Sequence, residues 1–238
     1  MSQSERKLAA RRFRQYIRRS NELHLEYLDD AHLCRNYECF ANWQLEYLLP
    51  FFCDLYAQDG YSEAIDFTMS DLAGIGISDR DRDLARAAPA ITTLLPLGAL
   101  LTIAAAAEMN ARVLEINIAI CRSLMVGNEL PAEITEYDYC VACREASSLK
   151  KCVELVQLIT GLGHTLGSLV EIPVIGITLR AMRAPAHAAG FRALQEFLEK
   201  GYRTFKKIPD VDHFLSEIET GMTEVFERIY TAPLEQLR

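Results

Sequence analysis

FRALQEFLEKGYRTFKKIPDVDHFLSEIETGMTEVFERIY, residues 191–230, decides the fold class. Phe191, Leu194, Leu198, Tyr202 and Phe205 recur at spacings of three and four, and so do Phe214, Ile218, Met222, Val225 and Ile229. That is the period of two helices, each with one apolar face. The connection Ile208-Pro209-Asp210 is short enough to make the pair antiparallel neighbours.

The same period runs through the rest of the chain. Phe13, Ile17, Ser20, His24, Leu28 and Ala31 form the stripe of a basic amphipathic helix over 1–31. A helical body over 37–230 follows, with helices over 37–57 (bent near Pro50), 62–73 (ended by Gly74 and Gly76), 78–95 (N-capped by Ser78), 97–126 and 135–170 (stopped by Pro173). β-Branched alternation occurs only around 172–178, where Pro173 and Gly176 interrupt it. With no repeat and no linker, the expectation is one all-α domain over 1–238 with about nine to eleven helices.

Half of the 238 residues are hydrophobic and 24% are charged, which excludes a disordered chain, a collagen-like chain and a disulfide-rich miniprotein. At this length folding buries roughly 70–75% of the unfolded surface, so stability needs no cofactor. Seven cysteines, an odd number inside helical segments, predict a reduced, cytoplasmic protein, and the polar, basic start is not a secretory signal. The uncharged run 87–107 is broken by Pro89, Pro96 and Gly98, so it predicts buried helix pieces rather than a transmembrane span.

The net charge of −8 hides an asymmetry. Residues 1–20 carry +6, which leaves −14 on the other 218. A negative bulk opposes docking on a nucleic acid and favours docking of the basic helix on the chain's own acidic body.

The run from Leu179 to Glu219 contains Met182-Arg183-Ala184-Pro185-Ala186, then Ala189-Gly190, Leu194-Gln195, Phe197-Leu198-Glu199, Gly201-Tyr202 and Phe205. It resembles the C-terminal signature of the FFLEELY-motif proteins, a bacterial family of helical proteins. Ser78, Arg80, Asp81, Leu84, Arg86 and Pro89 are similar to a second pattern of that family, and the eponymous stretch falls on 67–74. The resemblance covers about 47–230. It implies an all-helical fold and brings no activity with it.

Several groups are candidates for chemistry. Cys140-x-x-Cys143 has the spacing of a redox dithiol or half a zinc site, and equally packs as two core thiols. Asp29 with His32 has the i, i+3 spacing of a carboxylate and an imidazole on one helix face, although the Glu-x-x-His of metal bundles is missing. His24 beneath and Gly163-x-x-x-Gly167 above would suit a haem oxygenase-like site; a half-buried histidine and a close helix crossing explain the same residues. Arg180, Arg183 and Arg192 near His187 are candidates to grip an anionic group at a helix N-terminus.

The expectation is a non-enzymatic protein binding a partner protein, a second copy of itself, or an apolar, acyl-bearing ligand between helices; the alternative is a haem- or metal-binding helical enzyme. Arg11, Arg12, Phe13 and Ile17 are the partner-binding candidates, with Tyr16, Tyr27, Trp43 and Tyr47 as exposed aromatic anchors. Arg180, Arg183, His187, Arg192, Gly163 and Gly167 are the ligand-binding candidates. No cofactor is expected, and haem or metal at His24, Asp29 and His32 belongs to the alternative.

Overall fold

A computed structural model of the chain describes residues 3–72 and 78–237, apart from the side chains of Leu72, Ser78 and Leu94. The helix ends predicted at Gly74 and Gly76, and the capping role of the Ser78 side chain, lie outside the described residues. Among the described residues the fold is all-α, with one isolated bridge between Val126 and Glu129. The helices are α1 (Gln3–Asp29), α2 (Ala31–Leu48), α3 (Cys53–Tyr56), α4 (Ser62–Asp66), α5 (Ser78–Leu94), α6 (Leu97–Leu124), α7 (Glu136–Ala146), α8 (Leu149–Val170), α9 (Pro173–Ala188), α10 (Arg192–Lys207) and α11 (Val211–Thr231). A 3-10 turn, Leu49–Phe52, extends α2, and a π-helical turn, Phe67–Leu72, extends α4.

Side-chain caps account for the boundaries that periodicity misplaces. The Asp30 carboxylate accepts hydrogen bonds from the backbone N–H of His32 (3.1 Å) and Leu33 (3.0 Å), so α2 begins at Ala31, six residues before the expected start. The helix expected over 135–170 is two helices, because Ser147 is extended and Ser148 caps α8. Pro173 does more than stop a helix. It opens α9 at the first helical position, where its missing N–H costs nothing. Pro185 lies inside α9, and the break falls at Gly190, whose φ of +76° a residue with a Cβ adopts only at a cost.

α1 and α6 run parallel and in register. Arg12 pairs with Glu108, Arg19 with Glu115 and Arg122 with Glu26, each pair 96 positions apart and each rung seven residues from the last. The basic helix therefore docks on its own body, as the charge asymmetry predicts. Phe13 and Ile17 are buried beneath it against Ala88, Ala104 and Ala107. Farther along, the apolar stripe turns from Leu28, which is exposed, to Leu23, which is buried. Arg6 ends the contact by donating to the carbonyls of Thr92, Thr93 and Leu95 at the end of α5.

The rest of the core has two main bodies. Leu33, Tyr37, Phe40, Ile118, Tyr139 and Val225 join α2, α6, α7 and α11, while Phe52, Ile65, Phe67, Phe205, Phe214 and Ile218 join the segment 52–67 to α10 and α11. α8 and α11 run antiparallel: Leu215 packs onto Gly163, and Val211 onto Gly167, where an added Cβ would stand 2.7 Å from Val211. α6 and α8 are long and apolar enough to cross a membrane by length and composition; here they pack along α1, α7 and α11.

Candidate binding cavity

Where α2, α6, α7, α8 and α11 converge, and the π-helical turn closes over them, they leave a cavity of about 130 Å3. Val113, Ile116, Leu155, Ile159, Met222 and Phe226 give it an apolar wall. The wider π turn contributes Thr68 and Met69, and such turns recur at functional positions. Two polar groups interrupt the wall. On one side Gln44 Nε2 donates to Asn117 Oδ1 (3.3 Å) and to the Tyr139 hydroxyl (3.0 Å). On another the Tyr230 hydroxyl donates to the Cys143 carbonyl (3.0 Å) and lies 3.4 Å from Cys152 Sγ. Burial pushes the Tyr139 phenol well above its ordinary pKa and the Cys143 thiol up to about 12, so both face the cavity uncharged.

A polar cluster lies under the π turn. Arg80 donates to Asp81 (3.1 Å), to Asn110 Oδ1 (2.8 Å) and to the Asp71 carbonyl (2.8 Å), and its guanidinium sits 4.4 Å from the Phe197 ring centroid. The other Asp81 oxygen accepts from Ser20 (2.9 Å) and Asn110 (2.7 Å). Asp81 is buried, and this cluster supplies both of its oxygens with donors.

The two sequence patterns that carry the family resemblance meet at one corner. Asp83 accepts from the Leu194 N–H (3.3 Å) at the start of α10, while Arg86 donates to the Gly190 carbonyl (3.0 Å) and stacks over Phe191. The start of α10 thus takes its anion from the chain's own Asp83, and the helix N-terminus expected around 182–186 is absent because those residues lie inside α9. Arg183 forms a two-bond pair with Glu199, whose carboxyl is held at about 2 by that contact and then by Gln195. Arg192 pairs with Glu196 (2.8 Å). Among the described residues Arg180 is exposed without a partner, and His187 Nε2 is buried without one.

The remaining candidates are spread over separate contacts. The His24 ring Nδ1 donates to the Ser20 carbonyl (2.8 Å), and Gly163 and Gly167 are filled by Leu215 and Val211, so these residues serve different packing contacts. Asp29 ends α1 and His32 stands in the first turn of α2, which removes the shared helix face that their spacing suggested; His32 lies 3.9 Å from Glu129. Among the described residues no group of three or more His, Cys, Asp or Glu side chains is placed to hold a metal ion. Cys140 and Cys143 are core thiols raised by burial to about 11 and about 12, away from the thiolate that zinc or redox chemistry uses.

Arg12 is engaged with Glu108, and Phe13 and Ile17 face inward, which leaves Arg11 alone of that set on the surface without a partner among the described residues. The aromatics expected to be exposed are half-buried. Trp43 and Tyr47 stack on each other (5.3 Å) and edge onto Tyr139. The sequence reading missed Gln44 and Asn117. The available signal was Asn117 itself, a polar residue between the buried Leu114 and Ile118 on the apolar face of α6.

Fold and cavity together define an all-α protein with an apolar chamber at the meeting point of its central helices. The chain belongs to the family described as Domain of unknown function (DUF8198), whose model matches residues 24–235. Comparison with curated proteins and with solved structures gives no match.

Proposed function

We propose that the protein binds a small apolar ligand, an aromatic ring or a short acyl chain, in the cavity among α2, α6, α7, α8 and α11. The observation that carries this reading is the cavity: about 130 Å3 walled by aliphatic and aromatic side chains, with the Gln44, Asn117 and Tyr139 group at its edge. Ligand sites combine such a wall with a few placed polar groups. Apolar voids of about 150 Å3 stay dry and admit benzene, which sets the size of the occupant. This cavity is lined by none of the residues that the sequence offered for a ligand, Arg180, Arg183 and His187 of α9, Arg192 of α10, and Gly163 and Gly167 of α8. Seven unpaired cysteines support a reducing, cytoplasmic setting. Kinship with the FFLEELY-motif proteins belongs to this proposal, supported by the contact of Asp83 and Arg86 with residues 190–194.

Native mass spectrometry on protein purified without added ligand, followed by titration with indole and hexanoate, tests the reading. Wild type is expected to carry or take up one such molecule, and Leu155→Phe, which fills the cavity, is expected to lose it while keeping its helical circular dichroism. A wild type that takes up neither probe, or a filled variant that binds as well, overturns it.

A further inference from the structure

The outward face of α1 is left unused by the fold. Leu8, Arg11, Gln15, Arg18, Glu22 and Leu25 alternate at spacings of three and four, forming one seam on the side away from Phe13 and Ile17. All six are exposed, Leu8 at 68% and Leu25 at 59%. Arg11 and Arg18 have no acidic partner among the described residues, nor do Lys7 and Arg14 beside them. A shallow groove of about 570 Å3, lined in part by Arg11, Arg14, Arg18 and Glu22, runs along this face. The helix is also polarised from end to end: residues 3–19 hold seven bases and one acid, whereas residues 20–29 hold three acids and neither lysine nor arginine.

Such a face complements itself when reversed. Turned about a twofold axis between positions 16 and 17, it sets Leu8 against Leu25, Arg11 against Glu22, and Gln15 against Arg18, each contact occurring twice. The parallel arrangement stacks the two basic halves and is repelled.

We propose that the protein forms a symmetric dimer through antiparallel pairing of α1 with the α1 of a second copy. One helix pair is a small interface with a polar centre, so the dimer is weak, concentration-dependent and weakened by salt. The pairing is independent of the cavity and of its occupant.

Sedimentation velocity of the full chain at low and high salt tests this, with Arg11→Glu and the swapped variant Arg11→Glu/Glu22→Arg. Both positions are exposed, and circular dichroism verifies that each variant is folded. Wild type is expected to dimerise at low salt. Arg11→Glu is expected to raise the dissociation constant roughly tenfold or more, because symmetry repeats the change twice. The swapped variant is expected to recover wild-type association. A wild type that stays monomeric at low salt over the whole concentration range overturns the proposal, as does a dimer indifferent to Arg11→Glu or a swap that restores nothing. Flotation of monomeric wild type with phosphatidylserine vesicles overturns it in favour of a lipid surface.

Discussion

Arg12 of α1 and Glu108 of α6 stand 96 positions apart in the chain and pair in space, and the same offset recurs at Arg19 with Glu115 and, with the charges exchanged, at Glu26 with Arg122. The three rungs differ in burial. The Glu108 side chain is 4% exposed and also meets Arg112, whereas Glu115 is 52% exposed. Removing a buried carboxylate strands the cations gathered around it, so Glu108→Ala is expected to cost about 2 kcal/mol in urea denaturation. Glu115→Ala is expected to cost about 0.5 kcal/mol, as exposed pairs do. Equal costs would show that the register rests on apolar packing alone.

Arg80 and Asp81 make a second, harsher case. Asp81 is buried with both oxygens satisfied by Arg80, Asn110 and Ser20, so Arg80→Met leaves a carboxylate without its cation. The expected cost is about 3 kcal/mol or more. Arg80→Met/Asp81→Leu is expected to cost less than the sum of the single substitutions, since the second removes the stranded charge. Additive losses in the double-mutant cycle would place the cluster's value outside this pair.

What the sequence made legible follows from what periodicity reports. The stripe from Phe191 to Phe205 needs only local spacing, and α10 and α11 appear where that spacing put them. The docking of α1 was legible from charge alone, because seven bases face a chain that is otherwise −14. Breaks set by a single side chain were not. Asp30 and Ser148 interrupt stripes that continue smoothly across them, and only capping geometry shows it. The cavity was illegible for a different reason. It is a shortage of volume shared by five helices, and no spacing on one helix records how far its neighbours reach. Gly163 and Gly167 are open in sequence to a ligand site or to a close helix crossing, and only the positions of Leu215 and Val211, some fifty residues away, show the crossing.

That filling is measurable. A Cβ at position 163 would overlap the end of the Leu215 side chain. Gly163→Ala is expected to destabilise by about 1–3 kcal/mol through overpacking. Against a Leu215→Ala background the same substitution is expected to cost far less, because the truncated side chain leaves room. An equal cost in both backgrounds, read from thermal or urea unfolding, would refute the contact.

The cysteines divide by burial. Cys39 and Cys53 are exposed, whereas Cys121, Cys140, Cys143 and Cys152 are buried, with the Cys121 and Cys143 thiols pushed up to about 12 and Cys140 to about 11. Alkylation proceeds through the thiolate, which Cys121, Cys140 and Cys143 almost entirely lack at neutral pH, while burial keeps the reagent from Cys152. Iodoacetamide under native conditions is therefore expected to label Cys39 and Cys53 and to spare the four buried thiols, with all seven labelled after denaturation. Early modification of Cys143 or Cys152, located by peptide mass mapping, would mean that the chamber opens to solvent far more readily than its packing indicates.

Glu136 supplies a pH signature with a defined sign. Its hydrogen bond from Arg228, and then the one from Tyr47, hold its carboxyl below the ordinary range. A carboxyl depressed in the folded state stabilises fully above its unfolded pKa of about 4.3, and that contribution disappears as pH falls through the lower folded value. Glu136→Gln keeps the shape and lacks the charge. The stability gap between wild type and Glu136→Gln is therefore expected to be widest near neutrality, to narrow below about pH 4 and to close once the carboxyl is protonated in both states. Urea titrations of the two proteins across the acid range measure it directly. A gap that does not change with pH would assign the stabilisation to hydrogen bonds that the neutral amide makes equally well, and the charge on Glu136 would then contribute nothing.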